Sequence, residues 1–224
     1  AREAIFKGIP HGISTETLVM DVGSTKGDVI EAARNGLQKQ FANFVPAHPI
    51  AGKEVSGIEH AEASLFTGRQ VVLTPVKTTL RSNVQRASQV WSGIGANVVT
   101  MTHEAHDAAF AAVSHLPHLL AFAYINALTA QPDGDRFLDL AGPGFRDFSR
   151  IAASDPVMWR DVLLANREQV LRQSRAVRQA LDDLETLMTA GDLQGLEQSI
   201  ASASKARARW KPNSSSDASA QQDS

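Results

Sequence analysis

Two hydrophobic periodicities divide this chain near Thr102, and that change constrains the fold more than any other feature. Before it, short apolar, β-branched runs at 17–22, 41–45, 70–75 and 97–101 read as strands. Between them, 26–40 and 80–94 carry helical spacing, the first through Val29, Ile30, Ala33 and Leu37. Strands alternating with helices imply βαβ units and a mostly parallel sheet. After His103 no strand is evident, and helices are expected over 105–128, 136–141, 155–190 and 193–208. The fold class is therefore α/β followed by all-α, with domains at 1–102 and 103–210.

Within the last long segment, Leu163, Val170, Val177 and Leu184 recur every seven residues, joined by Leu181 and Met188. The repeat lasts only about three heptads, short for a free coiled coil, so it is read as packing in a helical core or at a subunit interface. Residues 211–224 are Ser, Asp and Gln with little apolar content and read as a disordered tail. The apolar stretch 108–130 is interrupted by His115, Pro117 and His118 and is read as a buried helix, not a membrane span.

Lys plus Arg (22) nearly balances Asp plus Glu (24), so neither nucleic acid nor an anionic membrane is expected as a partner. There is no cysteine, which excludes disulfides, thiolate metal sites and a Cys nucleophile, and fits a reducing compartment. His103-Glu104-Ala105-His106 is one residue short of the zinc motif His-Glu-x-x-His. With no third ligand evident, no metal is expected, and His106-Asp107 is read as a helix-start pair at the domain junction.

Two short motifs follow the first two strand-like runs: Asp21-Val22-Gly23-Ser24-Thr25-Lys26 and His48-Pro49-Ile50-Ala51-Gly52. Residues just past strand ends in an open parallel sheet converge on the ligand crevice. A serine and a histidine delivered there could share a proton with a substrate hydroxyl. On the residues alone, His48 is equally a strand-end histidine that caps the turn before Pro49. The phosphate-cradling pattern Gly-x-Gly-x-x-Gly is absent; Gly93-Ile94-Gly95 and Gly142-Pro143-Gly144 sit in the wrong context and read as turns. The chain opens with helix-like residues, so it reads as the second half of a doubly wound nucleotide-binding domain, followed by a helical dimerisation domain.

The two motifs, with Ser114-His115-Leu116-Pro117-His118 and Gly144-Phe145-Arg146-Asp147-Phe148-Ser149-Arg150-Ile151 followed by Asp155-Pro156-Val157-Met158-Trp159, resemble the prephenate dehydrogenase family, which includes arogenate and cyclohexadienyl dehydrogenases. The resemblance implies oxidative decarboxylation of prephenate, or of arogenate, with hydride passed to NAD or NADP in tyrosine biosynthesis, by a cytoplasmic homodimer. It implies that His48 accepts the proton of the substrate hydroxyl and that Ser24 bonds to His48 and to that hydroxyl, near the nicotinamide. It also implies that Gly23 and Ser24 are the cofactor-side residues. Arg150 would hold a substrate carboxylate; Arg146, one helical turn earlier, faces the same crevice or is equally a solvated surface arginine; His118 would line the pocket, and Trp159 would close its wall or pack at the domain junction. Glu54 and Asp147 match positions of charged contacts near the pocket mouth in some relatives. Two other readings compete. One is a catalytically silent fragment or dimerisation module, because no glycine loop is present; the other is a β-hydroxyacid-type dehydrogenase that releases no carbon dioxide.

Overall fold

The computed structural model describes residues 2–9, 12–14, 16–51 and 58–211. They form two compact units, 1–170 and 171–224. The first begins with helix α1 (Arg2–Gly8) and strand β1 (Val19–Met20). Helix α2 (Gly27–Leu37) follows, with strands β2 (Phe44–Val45), β3 (Ala47–Pro49) and β4 (Gln70–Leu73), helix α3 (Arg81–Gly93) and strand β5 (Asn97–Thr100). Helices α4 (His103–Phe110), α5 (Leu116–Thr129), α6 (Gly134–Asp139), α7 (Pro143–Ser149) and α8 (Pro156–Ala165) come next. Helix α9 (Arg167–Ala190) runs from the first unit into the second, which also holds α10 (Leu193–Arg209).

The change from strands to helices falls where the periodicity predicts. The strand region differs in two details. Phe41 to Asn43 form a 3₁₀ turn, so the expected strand begins only at Phe44. After Pro46 the chain enters an unforeseen strand, β3, antiparallel to β4 with His48 opposite Val72. The other pairings, β1 with β2 and β4 with β5, are parallel. His48 therefore lies inside a strand, not beyond the end of one.

One extended run thus serves two small sheets, because β2 pairs with β1 and β3 pairs with β4. Side chains bridge them. The Ala47 amide donates to Asp21 Oδ1 (3.0 Å), and the buried Lys26 ammonium donates to the Ala47 carbonyl (2.7 Å) and to Asp21 Oδ2. Lys26 is fully buried, and the Asp21 carboxylate beside it compensates its charge.

Strand alternation decides what β3 presents. Ala47 joins Val45, Val71, Leu73, Ala87 and Trp91 in one core cluster. A second cluster packs α1 on α2 around Phe6, Val29, Ile30, Ala33 and Phe44. Gly36 is required there: a Cβ would sit 2.4 Å from the Phe6 Cβ. His48, one residue on from Ala47, points to the opposite face.

The expected helix 105–128 is interrupted by a π turn at 111–115. The segment is also less buried than expected: Leu116 and Ala121 are buried, but Val113 and Tyr124 are exposed. His103–Thr129 is long and apolar enough to cross a membrane by composition alone. The expected helix 155–190 is two helices broken at Asn166. Of the heptad residues, Leu163 and Val170 lie in the first unit, half-buried and buried, while in the second Leu184 is half-buried and Val177, Leu181 and Met188 are exposed. Of the expected tail, only Lys211 lies among the described residues.

Candidate functional site

His48 is delivered by β3 to the face against α4. It is 9% exposed, and its Nδ1 lies 2.8 Å from His106 Nε2. His106 is wholly buried, and its Nδ1 lies 2.8 Å from Asp107 Oδ1. Phe110, one turn further along α4, packs on both rings at 4.7 and 4.5 Å between centroids. The His48 Nε2 atom has no hydrogen-bond partner among the described residues and is not sealed from solvent.

Burial is the main force that pushes the His48 pKa down, from 6.5 to about 3; His106, Lys26 and His115 push the same way and Asp107 opposes them. His48 is therefore a neutral imidazole at pH 7, with an acceptor lone pair available. Burial alone would raise the Asp107 carboxyl, but hydrogen bonds from His106 and from the Gly27 and Lys26 amides hold it below the usual carboxylate range. Those amides, at 2.9 and 3.0 Å, begin α2, so one carboxylate caps a helix and anchors His106.

The π turn brings further histidines into range. In an unbroken α-helix, residue 115 would lie about two and a half turns from 106, on the opposite side. The wider turn reduces that offset, and His115 interacts electrostatically with His48, His106 and His118. His115 is buried, with its pKa lowered to about 4 chiefly by burial. Its Nδ1 accepts from Asn166 Nδ2 (3.1 Å), which also donates to the Asp107 carbonyl (2.7 Å). This leaves the His115 Nε2 buried without a partner.

His118 donates from Nδ1 to the Ser114 carbonyl (2.9 Å) and stacks on Trp159 with centroids 3.5 Å apart. Burial lowers its pKa, and the bond to Ser114 opposes the change. Trp159, in the first turn of α8, is 8% exposed, and Phe122 closes on the same ring. His118 and Trp159 thus form one wall. They adjoin His115, which connects them electrostatically to His48.

The other predicted site residues stand apart. Ser24 makes no hydrogen bond to His48, whose Nδ1 meets His106 and whose Nε2 is open. Gly23, in the same turn after β1, donates its amide to Asp21 Oδ2 (2.9 Å), and a Cβ there would crowd that oxygen at 3.1 Å. Arg150 is exposed at the start of a short 3₁₀ turn. Arg146 is also exposed and pairs with Asp147 at 3.2 Å. Glu54 lies outside the described residues, as does Gly52. Sequence reasoning missed His106, Asp107, His115 and Asn166 as parts of one network. The adjacent pair His106-Asp107 was the available signal, and its partner His48 is 58 positions away.

Comparison with known proteins follows this geometry. Residues 2–100 match the family described as prephenate dehydrogenase, nucleotide-binding domain, and residues 102–202 match prephenate dehydrogenase, dimerization domain. The chain is 35% identical over 189 residues to a Bacillus subtilis prephenate dehydrogenase, covering 83% of this chain and 50% of that protein. It is 30% identical over 201 residues to a Zymomonas mobilis cyclohexadienyl dehydrogenase, covering 89% and 68%. The chain thus spans about half the length of the Bacillus relative and two thirds of the Zymomonas one. Among solved structures, the A. aeolicus prephenate dehydrogenase in complex with hydroxyphenyl propionate and NAD+ superposes with a TM-score of 0.85 at 36% identity, covering 92% of this chain and 71% of that one. A Synechocystis arogenate dehydrogenase superposes with a TM-score of 0.81 at 29% identity, covering 93% and 74%. With its buried neutral histidine and its nucleotide-binding and dimerization segments in that order, the chain belongs to the prephenate dehydrogenase family.

Proposed function

We propose that this chain carries the substrate chemistry of an enzyme that oxidises prephenate to 4-hydroxyphenylpyruvate with loss of carbon dioxide and transfer of hydride to NAD or NADP. The observation that carries the proposal is the neutral His48 with its Nε2 lone pair open. As the ring carbinol becomes a carbonyl, its O–H proton passes to His48 Nε2. Cleavage of the bond to the ring carboxylate releases carbon dioxide and returns an electron pair to the ring. The phenolate oxygen then takes the proton back, and no net proton is released. A positioned base of this kind contributes about 10²–10⁴-fold.

Arg150 holds a substrate carboxylate, with Arg146 beside it in sequence, while His118 and Trp159 form the pocket wall. Gly23 and Ser24 would lie beside the nicotinamide, Gly23 being held in a turn by Asp21. The residues present fit that end of a dinucleotide; the glycine pattern for its pyrophosphate occurs nowhere in the 224 residues. The bound cofactor supplies the hydride acceptor.

The domain boundary near Thr102 and a helical substrate and dimerisation domain over 103–210 belong to the same proposal. So do a homodimer and a cytoplasmic location. The exposed Val177, Leu181 and Met188 and the half-open helix α5 support the dimer. Absence of cysteine suits a reducing compartment. Turnover of prephenate and of arogenate, each with NAD and NADP, tests the reading. Prephenate-dependent cofactor reduction with one carbon dioxide per hydride supports it. Reduction without carbon dioxide would favour the β-hydroxyacid alternative, and preference for arogenate would transfer the same chemistry to that substrate.

A further inference from the structure

Hydrogen-bond direction along the histidine chain is fixed at one end. An ionised carboxylate only accepts, so Asp107 Oδ1 requires a proton on His106 Nδ1. A neutral His106 then presents a bare Nε2, and the 2.8 Å contact requires His48 Nδ1 to donate into it. The proton of neutral His48 is thereby committed to Nδ1, and its Nε2 is left as a lone pair. An isolated imidazole prefers the other tautomer, with its proton on Nε2, and such a ring would offer a donor where a departing hydroxyl proton needs an acceptor.

We propose that His106 and Asp107 are positioning residues that select the acceptor tautomer of His48. Packing supports the role. Phe110 clamps both rings, and Asp107 is itself fixed by the amides of Lys26, which precedes α2, and of Gly27, its first residue. Three elements (β3, α4 and α2) therefore hold a single proton position. Neither positioning residue touches the substrate in this scheme. They act through His48, as an outer hydrogen-bond partner orients a ligating histidine. The catalytic consequence rests on the dehydrogenase reading above; the tautomer itself does not.

Nitrogen-15 NMR of the histidine rings in the intact chain reads the tautomer directly. The expected wild-type result is a protonated Nδ1 and an unprotonated Nε2 on His48. In His106→Leu the proton should move to Nε2, with kcat reduced about 10–100-fold and a smaller change in KM. His106→Gln, whose carbonyl can accept from His48 Nδ1, should restore the tautomer and part of kcat. A wild-type His48 with its proton on Nε2 overturns the proposal, and this includes the case of a doubly protonated His106 donating to His48. A His106→Leu variant that keeps the Nδ1 proton also overturns it. The wild-type spectrum decides even where His106→Leu fails to fold. The expected tautomer without prephenate-dependent cofactor reduction would sink the dehydrogenase reading and leave the positioning role intact.

Discussion

His48 and Arg150 would act on the same small molecule, yet they meet water in opposite ways. His48 is 9% exposed and held by His106 and Phe110 of α4. Arg150 is exposed, in a segment of short helices (α6, α7 and the 3₁₀ turn after it) with little buried apolar surface. The proposed proton acceptor is thus organised before any substrate arrives, whereas the proposed carboxylate anchor stands exposed to water. Bases need a tuned pKa and a fixed tautomer, which burial supplies. An arginine needs neither, because its charge persists in water and its planar fork brings its own geometry.

The comparison can be broken at several points. His48→Asn should lower turnover about 10²–10⁴-fold with cofactor affinity near wild type. Near-normal turnover in that variant would mean that the buried histidine is only structural. Lys26→Ala should cost about 3–5 kcal/mol in urea denaturation, because it leaves Asp21 as a largely buried charge without its cation. A cost below about 1 kcal/mol would show that the β1–β3 bridge does not brace the histidine.

Arg150→Ala should raise the prephenate KM about 10–100-fold, in keeping with about 1.5–3 kcal/mol for hydrogen bonds to charged groups, and change kcat much less. An equal loss in both parameters would instead place Arg150 in transition-state binding. Acid should separate the two regions further. His48 and His115 bind protons in the unfolded state from about pH 6.5 downward, but in the folded state only near 3 and 4. Stability is therefore full above pH 6.5 and falls on acidification, by about 1.4 kcal/mol per pH unit for each histidine between its two values. Thermal melts from pH 7 to 4 measure this slope, which should flatten in a His115→Phe variant. Arg146→Ala, at a solvated ion pair with Asp147, should alter KM about twofold or less.

What was legible in the sequence follows the same division. The change at Thr102, the helices α2 and α3 and the strands β4 and β5 were readable because local periodicity specifies them. Strand β3 was not, since Ala47-His48-Pro49 has neither alternation nor β-branched residues and is a strand only because β4 pairs with it. The helix break at Asn166 carries no Gly or Pro; Asn166 ends α8 and spends its amide on Asp107 and His115. The expected Ser24–His48 bond came from resemblance; the partner His48 does have, His106, is 58 residues distant and invisible to local pattern. Arg146 and Arg150 were readable as residues, but their exposure was not.

The π turn at 111–115 has a consequence of its own, a constraint on helical phase rather than on composition. It holds about one residue more than α geometry needs for the same rotation. Regularised to an α-helix at the same length, the segment would satisfy every backbone group. It would also rotate His118 and the rest of α5 by about 100° relative to His106. The signature would be an unchanged helical circular-dichroism spectrum with lost prephenate affinity. Secondary structure would then be more regular than in the native protein, and the site would be dismantled.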